Sequence, residues 1–351
     1  MFEVRKSISS LLSFILLVVI SGEATAQSGR KPDSPAQQDR DDTIRLRTDE
    51  VLLNITVTDS FNRQATSLRR DEFIVAEDGQ RQEISSFSIS TVPVNVVLML
   101  DASGSVAGEV SSLRDAALSF VKQLGPEDKV SVIEFHSEVE LLQDWTANAD
   151  DVRHAISWRF KPGMVRTTEG TSTYGSTSLY DSLFLTAEEQ LSKVNGRKAV
   201  IILTDGDDSS SKVTYEQSLA AVIRSNAVVY VVSKARAFIS RISSEVGGKV
   251  GRVLNGGNAR LADQYISRLE RAERIMTDLA GRTGGQVFSP LKDSEMADVY
   301  SKVALELKNQ YLITYIPKNE RRDGGLRKVR VFLTRGGYTA RTRDSYYAPK
   351  N

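Results

Sequence analysis

The segment Val94-Asn95-Val96-Val97-Leu98-Met99-Leu100-Asp101 decides the fold. Its apolar side chains follow one another without the alternation of a half-exposed strand, and it stops at an aspartate. A strand of that kind is covered on both faces, as in a parallel sheet flanked by helices. Ala199-Val200-Ile201-Ile202-Leu203 repeats the pattern and again runs into an aspartate, Asp205. Helical spacing of Leu113, Ala117, Phe120, Val121 and Leu124 follows the first run. Val130–Phe135 and Leu141–Trp145 read as strands, and Val152–Trp158, Leu179–Leu191 and Tyr215–Arg224 as helices. A strand at Val228–Val232 and a helix–strand–helix set around Gly285–Phe288 and Met296–Leu307 complete the series. Such alternation predicts a doubly wound, mostly parallel α/β domain over residues 93–310. Ligands of such sheets bind outside the carboxyl ends of the strands, where Asp101 and Asp205 both fall.

Outward from this domain the idiom changes. Val51, Leu53, Ile55 and Val57 alternate with their neighbours, and Phe73–Ala76 and Gln82–Phe87 flank Asp78-Gly79, a two-residue hairpin signal. Residues 44–90 thus form a small antiparallel β unit, with too few strands to stand alone. After Gln310 the chain returns to β at Tyr311–Ile316, Val329–Leu333 and Tyr338–Tyr346. We expect segments 44–90 and 311–349 to pair into one accessory β-sandwich, with the α/β domain inserted between them. A polar, glycine-containing insertion at about 235–269 has no assignment. Lys318–Asp344 carries nine Lys/Arg against three Asp/Glu, a net +6 (9 − 3), and reads as the solvated face of strands.

Arg5 and Lys6, the apolar run Leu11–Ile20 and Ala24-Thr25-Ala26 describe a secretory signal peptide over 1–26. The apolar core Ile8–Ile20 is 13 residues, short of the ~20 that span a bilayer, so no stable membrane span is expected after cleavage. Residues 27–43, polar and with two prolines, read as a disordered leader. The product is expected to be exported, periplasmic or secreted. In the whole chain 46 basic residues nearly cancel 45 acidic ones, which removes the electrostatic argument for nucleic acid. Two histidines and no cysteine exclude thiol nucleophiles, Fe–S clusters and zinc fingers. Any metal must be held by oxygen.

The chemistry lies in three segments: Asp101-Ala102-Ser103-Gly104-Ser105, Gly175-Ser176-Thr177-Ser178-Leu179-Tyr180-Asp181, and Thr204-Asp205-Gly206-Asp207-Asp208. The first puts one carboxylate and two hydroxyls on one side of a tight turn. Carboxylate and hydroxyl oxygens suit a hard cation, Mg2+ or Mn2+, with Ca2+ a poorer fit. Thr171, Thr173 and Thr177 all lie in one Ser/Thr-rich stretch. Asp207 and Asp208 could stand as acids behind the metal ligands, but are expected rather to solvate their loop or to cap the element after it. Enzymatic signatures are missing: the sequence has no Walker-type G-x-x-x-x-G-K-[ST], no H-E-x-x-H and no G-x-S-x-G. His136 reads as a rim residue and His154 as part of a surface helix, so no catalytic residue is assigned.

D-x-S-G-S, a G-x-T-x-L-Y-D loop and an apolar strand ending T-D-G, in this order, resemble the metal-ion-dependent adhesion site of von Willebrand factor type A domains. The hairpin D-E-F-x-V-x-E-D-G-x-x-Q-x-I and the closing R-K-V-R-V to Tyr346-Tyr347 resemble exported bacterial proteins with a "VWFA-related" domain of acidobacterial type. The resemblance implies Asp101, Ser103 and Ser105 as the first metal loop, Thr177 as the ligand of the second, and Asp205 as a carboxylate bound directly or through water. Thr177 is chosen by its distance from Leu179-Tyr180-Asp181. Val106 stands where Met is frequent in the family, which removes no ligand. The implied function is a non-enzymatic adhesion or protein-binding module that takes a partner's Asp or Glu carboxylate on a divalent cation. The alternative is a structural or assembly component of the cell envelope, in which the metal only stabilises loops. Metal-assisted hydrolysis would need a poised water and a general base beside the cation, and the pattern supplies neither.

Overall fold

The computed structural model describes residues 50–89, 92–103, 110–160, 176–247 and 256–350. The expected signal peptide and leader, and Ser105, lie outside the described residues. The chain opens with β1 (Val51–Asp59), β2 (Phe73–Glu77), β3 (Gln80–Gln82) and β4 (Ile84–Ile89). It then enters an α/β domain: β5 (Val94–Asp101), α1 (Val110–Gln123), β6 (Lys129–Phe135), β7 (Val139–Thr146), α2 (Ala149–His154), α3 (Leu179–Leu185), β8 (Arg197–Thr204), α4 (Tyr215–Ser225) and β9 (Ala227–Ser233). The domain continues through α5 (Ala235–Gly247), α6 (Gly256–Thr283), β10 (Val287–Phe288) and α7 (Met296–Lys308). Four strands close the chain: β11 (Tyr311–Tyr315), β12 (Leu326–Leu333), β13 (Tyr338–Arg341) and β14 (Ser345–Tyr347).

The central sheet has six strands in the order β10-β9-β8-β5-β6-β7, all parallel except the edge strand β7. The apolar run that announces β5 divides by strand alternation between two cores. Val96, Leu98 and Leu100 point to the side covered by α1, α2 and α7, and Val97 and Met99 to the side covered by α3, α4 and α6. All five are fully buried, each side chain contributing ~1.5–3 kcal/mol by leaving water. Continuous hydrophobicity was the right signal for this reason.

The flanking strands form two antiparallel four-stranded sheets, β13-β1-β11-β4 and β14-β12-β2-β3. Each contains strands from before and after the α/β domain: β1 pairs with β11, and β2 with β12. Between the sheets, Phe73, Phe87 and Tyr311 pack with ring centroids 5.0–5.6 Å apart. There Oε2 of the buried Glu77 accepts the Tyr315 and Tyr346 hydroxyls, both at 2.8 Å, while its Oε1 has no partner among the described residues. Asp78 and Gly79 make the expected turn, with φ of 48° and 84°.

Two expected strands are each divided. Gln82–Phe87 breaks at exposed Glu83, so β3 pairs with β2 in one sheet while β4 crosses to pair with β11 in the other. Tyr338–Tyr346 divides in the same way into β13 and β14. In a sandwich both sheets point their apolar residues into one core, so alternation continues undisturbed where the chain changes sheet. The described residues of the unassigned insertion are helical: α5 and the first half of α6 pack through Ala235, Phe238 and Leu269, with Ile239 and Tyr265 against them. Among the described residues no helix is long and apolar enough to cross a membrane.

The two modules are bonded at their junction. Arg197, at the start of β8, donates to the Val92 and Leu307 carbonyls and to Gln310 Oε1 at 2.8 Å. Arg341 of β13 reaches Gln286 Oε1 at 2.8 Å and the Glu306 carboxylate of α7.

Candidate functional site

Asp101 is the last residue of β5 and is fully buried. Oδ1 accepts the Ser103 N–H at 2.9 Å, and Oδ2 accepts the Thr204 hydroxyl at 2.6 Å. Thr204 ends the neighbouring strand β8, and its Oγ1 in turn accepts the Gly206 N–H at 2.9 Å. Asp205, 4 % exposed, thus stands beside Asp101 on adjacent strand ends. Burial first, and the Asp205 charge second, push Asp101 up to about 7. Two neighbouring carboxylates with little access to water are the electrostatic preparation for a cation.

Thr177 comes from the loop before α3. Its N–H donates to Ser209 Oγ at 3.0 Å, and its carbonyl accepts the Ser209 and Ser210 N–H groups at 2.9 and 3.1 Å. Its buried side-chain hydroxyl makes no hydrogen bond among the described residues. Ser178 N–H donates to the His136 carbonyl at 2.7 Å, so the end of β6 fixes the same loop. The structure therefore brings Asp101, Ser103, Thr177 and Asp205 to one edge of the sheet, all buried. Ser105, Thr171 and Thr173 lie outside the described residues. The donor set is oxygen throughout, two anionic and the rest neutral, and it fits a hard divalent cation.

Asp207 and Asp208 do more than solvate their loop. The Asp208 carboxylate accepts the Leu179 N–H at 2.8 Å, the Tyr180 N–H at 3.3 Å and the Ser211 hydroxyl at 2.5 Å. It caps a helix that lies earlier in the chain, not the next one. Asp181 replies by accepting the Lys212 and Val213 N–H groups, both at 2.9 Å. With Ser209, Ser210 and Ser211 these bonds stitch the second and third loops together. The run Ser209-Ser210-Ser211 was the available signal for this, since short hydroxyls prefer backbone partners. Asp207 pairs instead with Arg268 of α6. That helix touches the third loop directly: Gly206 has φ +83°, and a Cβ there would meet Ala272 Cβ and Met276 Cγ at 3.2 Å. The helix that begins in the insertion and runs past it therefore forms one wall of the site, which sequence patterning did not reveal.

His136 Nδ1 accepts the Glu138 N–H at 3.2 Å and lies 3.0 Å from Ser137 Oγ, the bonding of a rim residue held in its own turn. His154 is exposed on α2.

The family model of the von Willebrand factor type A domain matches residues 96–207, which include Asp101, Ser103, Thr177 and Asp205. Inter-alpha-trypsin inhibitor heavy chain H4 of Bos taurus is 25 % identical over 211 residues, covering 55 % of this chain and 22 % of its own length. The Homo sapiens protein of that name is 28 % identical over 130 residues, covering 34 % and 13 %. The chain thus spans about a fifth or less of these relatives. Among solved structures, von Willebrand factor type A from Catenulispora acidiphila aligns at 10 % identity and TM-score 0.43, covering 87 % of this chain and 76 % of that one. Proximal thread matrix protein 1 from the mussel byssus aligns at 13 % identity and TM-score 0.45, covering 66 % and 51 %. The family match falls on the strands and loops that build the site, so residues 96–207 are similar to a von Willebrand factor type A domain.

Proposed function

We infer that the protein is an exported, non-enzymatic binding module that engages a partner protein through a divalent cation. Domains of this type often mediate protein–protein contact, which supports the general class. The observation that carries the reading is the pair Asp101 and Asp205: buried, adjacent and repelling one another strongly enough to help push Asp101 up to about 7. Asp101, Ser103, Ser105, Thr177 and Asp205 would hold Mg2+ or Mn2+. Two carboxylates leave a divalent ion electrically satisfied but coordinatively incomplete, so the bound ion supplies a position for an Asp or Glu carboxylate of the partner.

The rest is done by the chain itself. The Asp208 cap and the serine stitching hold the Thr177 loop in place, while the Thr204 hydroxyl orients the Asp101 carboxylate. Since the second and third loops are already bonded to each other, the rival reading, in which the ion serves only to stabilise loops, has less to explain. Export rests on the signal-like N-terminus. The test is capture of partners from the envelope fraction by wild type and Asp101→Asn, with EDTA and with restored Mg2+ or Mn2+. Partner capture that survives both EDTA and Asp101→Asn would remove the interaction from this site.

A further inference from the structure

A second open space lies at the other end of the central strands. A cleft of about 700 Å3 separates the amino-terminal edge of the sheet from the β-sandwich. One wall is the turn before β8 with Lys198 and the end of α4 with Arg224, and the other is the start of β1 and the last turns of the chain, with Arg343 and Tyr347. Its size falls within the ~300–1,000 Å3 of small-molecule sites, and junctions between modules are a usual place for them. Lys198 and Asp205 lie on one strand run seven residues apart, about 23 Å at strand spacing, so the cleft is independent of the metal edge.

The charges in it are unbalanced. Lys198, Arg224 and Arg343 line the cleft, and none makes an ion pair among the described residues. Burial alone lowers Lys198 below its ordinary range, and burial lowers Arg343 to about 10. The acids that line the cleft are Glu50 and Asp323, and Asp323 is already taken by Arg327 at 2.9 Å. Two of the cations are pre-positioned by aromatic rings. Arg224 lies over Tyr347 at 4.4 Å and Arg343 over Tyr346 at 5.3 Å, which fixes a guanidinium plane and leaves its edge for a planar or tetrahedral oxyanion. Arg343 spends Nη1 on Asn226 and Nη2 on the Leu52 carbonyl, while its buried Nε has no partner. Beside it the buried Asn54 Oδ1, an acceptor, also has none.

An unpaired donor among cations asks for an anion, and an unpaired acceptor asks for a hydroxyl. We propose that this cleft binds a small hydroxylated oxyanion, a sugar acid or sugar phosphate, gripped by Arg224, Arg343 and Lys198 and read through its hydroxyls by Asn54.

Calorimetry on the full chain in EDTA, at low salt, tests this with glucuronate and glucose 6-phosphate, with glucose and inorganic phosphate as controls. EDTA keeps the anions from being recruited by metal. At least one of the two hydroxylated anions binds, which tells whether carboxylate or phosphate is preferred, while glucose does not bind and inorganic phosphate binds more weakly. Arg224→Gln and Lys198→Gln, on partly exposed positions that carry no core contact, each weaken binding about tenfold or more. Asp101→Asn leaves it unchanged. Absence of heat with both hydroxylated anions at millimolar concentration overturns the proposal. So does binding of glucose or phosphate equal to theirs, or binding indifferent to both substitutions.

Discussion

Replacing Asp101 by asparagine removes a charge and keeps the shape. The amide still offers an acceptor to the Ser103 N–H. In the metal-free protein the carboxyl is lifted from its ordinary 3.8 to about 7, by burial first and by Asp205 second. The folded state therefore holds this proton more tightly than the unfolded chain. Metal-free stability is then fullest below the unfolded value near 4, falls as pH rises toward about 7, and stays low above it. A climb of that size corresponds to about 4 kcal/mol as an upper bound. Against it stands the charge-assisted bond from Thr204, whose weakening in the amide costs ~1–2 kcal/mol. In EDTA, Asp101→Asn should therefore be more stable than wild type by ~2 kcal/mol near pH 8 and about equal to it near pH 5. For an ordered body of this size that is about 4 °C in Tm at the higher pH. Mg2+ at a hundredfold excess over its Kd should raise the wild type by ~3 kcal/mol, about 5 °C, and the variant not at all. Thermal melts of both proteins at the two pH values, with EDTA and with Mg2+, give every number needed. An equal Mg2+ shift in the variant, or a wild type–variant gap that does not change with pH, would refute the account of the site.

Three further outcomes are expected. Thr177→Val should leave Tm within about 1 °C, because the loop is held through its backbone, yet lower Mg2+ affinity severalfold and partner capture more; calorimetry and capture separate the two effects. Asp208→Ala removes the acceptor for Leu179, Tyr180 and Ser211, should cost ~1–2 kcal/mol in chemical unfolding, and should weaken Mg2+ binding although the residue is not a ligand. Arg197→Ala strips three acceptors at the module junction and leaves buried groups unpaired; a loss of ~3 kcal/mol and faster amide exchange in β11 are expected, whereas a neutral result would mean that the modules are held by apolar contact alone.

Patterning exposed the central sheet because Val94–Leu100 and Ala199–Leu203 are apolar on both faces, a composition that few other environments tolerate. The site was legible for a related reason: Asp101 ends one of these runs and Asp205 directly follows the neighbouring strand, which sets both at the same edge of the sheet. Two kinds of information were absent. Alternation cannot mark a change of sheet, which hid the breaks at Glu83 and between Arg341 and Ser345. Contacts distant in sequence, such as Asp208 with Leu179 and Asp207 with Arg268, depend on how the loops meet, and polar residues carry no periodic trace of that. The insertion was opaque because its charged helix surfaces mask the few apolar residues, Ala235, Phe238 and Leu269, that join α5 to α6.

The junction at β4 and β11 also has a mechanical meaning. Ile89, where the chain leaves the sandwich, pairs with Tyr311, where it returns, so exit and entry sit about one strand spacing, ~4.8 Å, apart. Tension applied between Val51 and Tyr347 is carried first by the sandwich ladders and reaches the α/β domain at the contacts of the last strand, and of Arg343 and Asp344 just before it, with Arg224, Asn226 and Arg282. Tension applied through a ligand at the metal edge takes another route: it arrives at two neighbouring antiparallel strands together and is shared between them. The domain hangs from its support like a loop from two adjacent stitches. Stretching of the support would reach the geometry of Asp101, Thr177 and Asp205 last, and a pull on the ligand would test the β4–β11 ladder and the Arg197 clamp before it reached the core.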